Sequence, residues 1–132
     1  MYKYLIYVIL KETFLKVVDN SGGRLAKCIH VYGNRGGNIG DKILISMQKI
    51  KNRNPLLKLK IENHNLYKGL IVQTKKGILR NDGSKLIFNK NSIVLLTMSN
   101  EKLIGTRILC HLVKELKNKK FIKILTISSK II

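Results

Sequence analysis

The chain has 132 residues, which is enough for one domain whose hydrophobic core needs no disulfide staples. Hydrophobic residues make up 45% of the chain and proline occurs once, a composition that excludes an intrinsically disordered protein. The 26 Lys and Arg against 7 Asp and Glu give a net charge of +19, so a polyanionic partner is expected, with nucleic acid first and an anionic membrane surface second.

The first ten residues, MYKYLIYVIL, are apolar but too few to span a bilayer. They lack a small-residue cleavage site, and their alternation continues toward the next strand. Residues 1–8 are therefore interpreted as an extra N-terminal strand or arm rather than as a targeting segment.

Short apolar runs separated by turn signals predict strands along most of the chain. Residues 50–66 are basic and Asn-rich and predict a long exposed loop or ribbon. After residue 99 the pattern changes, because Leu112, Val113 and Leu116 are spaced for one face of a short helix. The predicted strands are residues 13–18, 24–32, 42–49, a run through Leu70 and Val72, and 93–98.

These elements predict a mainly β fold in a single domain, residues 1–132. The expected architecture is a small five-stranded closed β-barrel, which leaves no exposed strand edges, followed by a helical C-terminal part over residues 99–132.

Residues 71–88 predict a basic hairpin with two turns. Gly77 allows the first bend, and Asp82-Gly83 is a hairpin turn signal in which Asp82 accepts hydrogen bonds from the turn itself. The same turn chemistry explains Asp19 and Asp41. The apolar ends of the hairpin, Ile71-Val72 and Ile87-Phe88, are expected to anchor it in the barrel.

No pattern for catalysis, metal binding or a cofactor emerges. The glycines between residues 33 and 40 form neither phosphate-loop motif, and the acidic residues form no dyad. The spacing of Cys28, His30, Cys110 and His111 matches no usual zinc site. Aromatic residues are too scattered for a base-stacking platform, which favours recognition of the phosphates and shape of structured RNA.

An ordered series of motifs resembles the universal large-subunit ribosomal protein fourteen family, of the bacterial type, from about Ile9 to the C-terminus. The series is Asp19-Asn20-Ser21-Gly22, Cys28-Ile29, Gly40-Asp41, Thr74-Lys75-Lys76-Gly77, Arg80-x-Asp82-Gly83-Ser84, Val94-Leu95-Leu96, Ile104-Gly105-Thr106-Arg107-Ile108, Lys114-Glu115-Leu116 and Phe121-x-Lys123-Ile124.

The resemblance implies a structural, non-enzymatic protein of the large subunit that binds its rRNA and helps to form a bridge to small-subunit rRNA. It also implies large-subunit proteins nineteen and three as neighbours and a ribosome-silencing factor as a further partner. No membrane partner is expected, because the apolar residues are used in the core. The alternative is a small barrel that binds single-stranded nucleic acid outside the ribosome. The motif series and the missing stacking platform both favour the ribosomal protein over this alternative.

The family motifs carry over the expected rRNA-binding residues, to which Arg24, Arg35 and Lys85 are added. Lys114, Lys117 and Lys120 are expected on the bridge or protein-partner side. The matched rRNA-binding residues are Lys75, Lys76, Arg80, Ser84 and Arg107.

The chain also departs from the family pattern. The resemblance leads us to expect Arg in place of Gln73, Pro in place of Asn81 and Leu103, and Gly-Pro in place of Cys110-His111. With the extra N-terminal residues, the longer loop near 50–65 and the abundance of Lys, Asn and Ile, these features indicate a mitochondrial, organelle-encoded ribosomal protein. A plastid or an AT-rich bacterium is the alternative.

Overall fold

Five strands close a barrel in the computed structural model, which describes residues 9–32, 37–50, 61–62, 64–119 and 122–132. The predicted mainly β class and the five-stranded closed barrel are confirmed. Each barrel strand overlaps a predicted run. The barrel strands are β1 (Phe14–Val17), β2 (Gly23–Val31), β3 (Lys42–Ile50), β4 (Leu66–Gln73) and β7 (Ser92–Leu96).

The barrel closes through a parallel pairing of β1 with β7, whereas the other neighbouring strands of the barrel run antiparallel. In that pairing Lys16 of β1 lies opposite Ser92 of β7. Strand β7 is buried on both faces. Its Ile93 and Leu95 fill the barrel interior, whereas Val94 faces a second apolar cluster on the outer wall.

The C-terminal part covers that outer wall. It contains the parallel pair β8 (Ile108–Leu112) and β9 (Ser128–Ile131), a 3₁₀ helix (Lys114–Lys119) and the short helix α1 (Ile122–Thr126). The predicted short C-terminal helical segment is confirmed, but the two strands β8 and β9 occupy part of the range expected to be helical. Across the described ranges, no helix combines the length and the apolar character that crossing a membrane requires.

The expected helical face through Leu112, Val113 and Leu116 is wrong at its first two residues, since Val113 also precedes the helical turn. Leu112 ends strand β8, because its backbone pairs with Ile131 of β9, and the helical turn begins two residues later. All three side chains are nevertheless buried. A strand end followed by a tight turn therefore buried the same apolar residues that a helix would.

The basic hairpin has a small sheet of its own, formed by β5 (Ile78–Leu79) and β6 (Lys85–Leu86). Ile71 and Val72 are buried in β4 as predicted. The prediction that Ile87 anchors the hairpin is wrong, since its side chain is 63% exposed. Its neighbours Leu86 and Phe88 pack on the outer cluster, so the residue between them faces solvent.

The expected N-terminal arm, residues 1–8, lies outside the described residues, as do residues 51–60 and 63 of the expected loop. The ends of that loop differ from the prediction. Ile50 completes β3 and Leu66 begins β4, and Ile61 is buried in the barrel core.

Candidate nucleic-acid interface

Carboxylates in the described residues are largely bound within the protein. Glu101 accepts hydrogen bonds from Lys42 and, at 3.0 Å, from Lys68, and these bonds, that from Lys42 first, lower the pKa of Glu101. Seven carboxylates cannot offset 26 cations, so the surface stays strongly positive. Other hydrogen-bonded pairs are Asp19 with Ser21, Asp41 with Asn38, Glu62 with Asn65, Asp82 with Ser84, and Glu115 with Arg80.

Lys75 and Lys76 are exposed on a turn whose backbone is held by side chains. The hydroxyl of Thr74 accepts the Gly77 N–H at 3.0 Å, and Asn91 Oδ1 accepts the Lys75 N–H at 3.0 Å. A fixed backbone reduces the conformational freedom that the two lysines lose when they bind a phosphate chain. This turn is therefore suited to presenting positive charge.

Two glycines of the hairpin have left-handed backbone conformations but different surroundings. Gly77 has φ of 70°, and a Cβ atom there would lie 1.5 Å from the carbonyl oxygen of Leu86. Gly83 has φ of 90°, and a Cβ atom there would meet nothing within 4 Å. Glycine is required by close packing as well as by conformation at the first turn, and by conformation alone at the second.

Asp82 organises the hairpin tip as the sequence predicts. Its Oδ1 accepts the Ser84 N–H at 2.9 Å and the Ser84 hydroxyl at 2.6 Å. The hydrogen bond from that hydroxyl is the main reason that the pKa of Asp82 lies below its usual value. Ser84 and Lys85 are both exposed at this tip.

Arg80 lies in the hairpin but points into the protein. Its Nε donates to Glu115 Oε1 at 2.7 Å, and its Nη2 donates to the Ile132 carbonyl at 2.6 Å. Burial raises the pKa of Glu115, but the hydrogen bond from Arg80 helps to outweigh it, and the net pKa is lowered. Arg80 thus ties the hairpin to the C-terminal segment, while its binding to rRNA stays a prediction.

Asn20 joins two of the sequence motifs, which are more than 80 residues apart. Its Oδ1 accepts the N–H groups of Thr106 at 2.7 Å and Arg107 at 3.0 Å, and its Nδ2 donates to the Thr106 hydroxyl at 2.9 Å. A Cβ atom on Gly105 would lie 2.8 Å from Asn20 Oδ1. Arg107 is therefore exposed on a backbone that Asn20 holds in place.

Asp19 fixes the turn that carries Asn20. It is buried, and its Oδ1 accepts the Ser21 N–H at 3.2 Å and the Ser21 hydroxyl at 2.5 Å. Its Oδ2 accepts the Leu95 N–H of β7 at 3.1 Å. The predicted turn role of Asp19 is confirmed, and so is that of Asp41, which accepts the Asn38 N–H. The bond to β7 could not be predicted from local sequence.

The remaining expected site residues are scattered. Arg24 is exposed on β2, and Lys114 is exposed at the start of the 3₁₀ helix. The backbone of Lys117 lies in the same helix. Arg35 and Lys120 lie outside the described residues. Their roles toward RNA or protein stay predictions.

The cysteine and histidine residues form no cluster in the part of the chain that the structure describes, where no three His, Cys, Asp or Glu side chains could hold a metal ion together. Cys28 is buried in the barrel, and burial raises its pKa. Cys110 is half-buried, and burial raises its pKa to about 11. His30 packs edge-on against Tyr32, with 5.3 Å between the ring centroids.

Two positions that depart from the family pattern have structural partners. Gln73 Nε2 donates to the His111 carbonyl at 2.8 Å and so links β4 to β8. Leu103 forms an isolated β-bridge with Leu96. Asn81 is exposed at the hairpin tip.

The chain matches a family of known proteins over most of its length and is similar to a curated bacterial relative. The family described as "Ribosomal protein L14p/L23e" matches residues 8–132. "Large ribosomal subunit protein uL14" of Carsonella ruddii (strain PV) is 41% identical to the chain over 128 residues, which are 95% of this chain and 100% of the relative.

Proposed function

Because the chain belongs to the ribosomal protein L14p/L23e family, a family of structural ribosomal proteins and not of enzymes, we propose that it binds large-subunit rRNA and contributes to a bridge to the small subunit. Its role as a structural protein of the large ribosomal subunit follows from the family. The specific rRNA contacts and the bridge are the proposal.

The observation that carries the rRNA proposal is the bracing of exposed cations by internal hydrogen bonds. Lys75 and Lys76 sit on a turn held by Thr74 and Asn91, and Arg107 sits on a loop held by Asn20. Phosphate contacts supply much of the affinity of proteins for nucleic acid, and a fixed backbone beneath the cations reduces the entropy lost on binding. Arg24, Ser84, Lys85, Arg35 and Arg80 complete the proposed rRNA side.

We assign the bridge or protein-partner side to Lys114, Lys117 and Lys120. Support comes from the exposure of Lys114 and from the family resemblance. Large-subunit proteins nineteen and three, small-subunit rRNA and a ribosome-silencing factor are the proposed partners.

We further propose that the ribosome concerned is mitochondrial. The family match begins at residue 8, so the first residues lie outside it, as expected for an organellar extension. The bacterial relative equally fits the alternative of an AT-rich bacterium. Fractionation of the source cells decides between these, because recovery of the protein from mitochondrial ribosomes supports the first and recovery from cytoplasmic bacterial ribosomes overturns it.

Sedimentation of a lysate of the source cells through a sucrose gradient tests membership of the subunit. The tagged protein should migrate with large subunits and remain there at moderate salt. Recovery in free fractions, bound to single-stranded nucleic acid, would instead support the non-ribosomal alternative.

The rRNA face is tested by a double variant, Lys75→Gln with Lys76→Gln. Loss of two phosphate contacts should lower affinity for purified large-subunit rRNA about tenfold or more at physiological salt and should reduce incorporation into subunits. The matched control is Lys49→Gln with Lys102→Gln, which removes two exposed lysines from other parts of the surface. Equal losses in both double variants would show general charge attraction and contradict the proposed face.

A further inference from the structure

A cleft of about 430 Å³ lies between the outer wall of the barrel and strand β8. Cations line it from three different segments, namely Lys16 on β1, Arg24 on β2 and Lys90 before β7. Among the described residues, no Asp or Glu side chain lines this cleft. The cleft is therefore an electropositive concavity, suited to an anion.

Ser92 lines the same cleft and is 1% exposed. Its hydroxyl has no hydrogen-bond partner among the described residues. Every other buried side-chain nitrogen or oxygen atom of the described residues has one. A buried hydroxyl without a partner loses its hydration with no compensation, so such groups are rare and usually have a reason. Ser92 begins β7 opposite Lys16, where barrel closure fixes its position.

We propose that this cleft binds a phosphate group of the RNA backbone, with the Ser92 hydroxyl donating a hydrogen bond to a phosphate oxygen. Arg24 and Lys90 supply the neutralising charge, and a guanidinium group can donate two parallel hydrogen bonds to a phosphate. The proposal deepens the proposed function and rests on it, since it names one contact on the rRNA side.

Two further groups in the cleft are compatible with an anion. The thiol of Cys110 lines the cleft, and burial raises its pKa to about 11, which disfavours a negative charge there. Gln73 also lines the cleft, and its amide is held by the His111 carbonyl.

The first test measures binding of the full chain to purified bacterial large-subunit rRNA at several salt concentrations. Arg24→Gln with Lys90→Gln should lower affinity about tenfold and reduce the slope of log K against log [salt] by about 1. Ser92→Ala should lower affinity about threefold with the slope unchanged, because a neutral donor is lost. Lys49→Gln with Lys102→Gln is the charge-matched control, and its loss should be smaller.

Thermal unfolding distinguishes phosphate binding by Ser92 from a merely structural role. Ser92→Ala should leave Tm unchanged or raise it, because a buried group without a partner is removed. The control Ser21→Ala should lower Tm, because the Ser21 hydroxyl donates to Asp19. A lower Tm with unchanged rRNA affinity for Ser92→Ala would overturn the proposal, as would wild-type affinity and slope for the Arg24 and Lys90 double variant.

The source of the phosphate is tested by NMR on the ¹⁵N-labelled chain at constant ionic strength. A short RNA duplex at micromolar concentration should shift the Ser92 and Gln73 signals, and inorganic phosphate should shift them only at millimolar concentration. Saturation by inorganic phosphate with no response to RNA would overturn the RNA source, and no response to either would overturn the site. Failure of the wild-type chain to prefer rRNA over an unrelated RNA of equal length would instead contradict the proposed function.

Discussion

Replacing Asn20 with alanine should release the loop that presents Arg107. The change removes three side-chain hydrogen bonds to Thr106 and Arg107, with lengths of 2.7, 2.9 and 3.0 Å. Each such bond contributes about 0.5–1.5 kcal/mol net, and these lie toward the low end because Asn20 is exposed. The expected loss is about 2 kcal/mol of the free energy of unfolding.

Thermal and chemical unfolding measure this loss. At about 2.1 cal/mol/K of unfolding entropy per residue, a chain of 132 residues converts about 2 kcal/mol into a fall in Tm of about 7 °C. Asn91→Ala removes one hydrogen bond, that to the Lys75 N–H, and should cost about a third as much.

Amide hydrogen exchange locates the effect. In Asn20→Ala the amides of Thr106 and Arg107 should exchange at least about tenfold faster than global destabilisation alone requires. Asn20→Asp keeps an acceptor for both amides and should retain most of their protection. Unchanged protection of these two amides in Asn20→Ala would refute the bracing of Arg107, whatever happens to Tm.

Two further predictions concern the hairpin and its link to the C-terminal segment. Gly83→Ala should cost about 1–2 kcal/mol of the free energy of unfolding from left-handed strain alone. Gly77→Ala should cost clearly more in urea unfolding, because its Cβ would lie 1.5 Å from a backbone oxygen. Equal costs would contradict the close packing of the first turn. Glu115→Gln should be less stable than the wild type at pH 7 by about 1–2 kcal/mol through loss of its charge-assisted bond with Arg80. Because the folded pKa of Glu115 is lowered from 4.5, its stabilisation is present above that pH and is lost as pH falls through the folded value. The difference between the two proteins should therefore shrink in unfolding experiments as pH falls below 4.5. A constant difference, or the same behaviour in the control Glu12→Gln, would contradict the role of the pair.

The strands and the turns can be predicted from the sequence, because their signals are local. Ile43, Ile45 and Met47 recur at every second position, which predicts the inner face of β3, since side chains of a strand point to opposite faces in turn. Asp82 bonds to a residue two positions away, so the composition of four residues was sufficient to predict the hairpin tip. The net charge likewise needed no structure to indicate a polyanionic partner.

Only the folded chain shows which polar side chains contact one another. Arg80 meets Glu115 across 35 residues and Asn20 meets Arg107 across 87, and neither pairing follows from a sequence period. The apolar spacing of Leu112, Val113 and Leu116 predicts a helix, yet a strand end followed by a tight turn buries the same residues. Ser92 is a small polar residue in the sequence and becomes a buried hydroxyl in a basic cleft only after β7 closes against β1 and β8 covers the outer wall. A local pattern specifies the face on which a side chain lies, whereas barrel closure and strand register specify its partner.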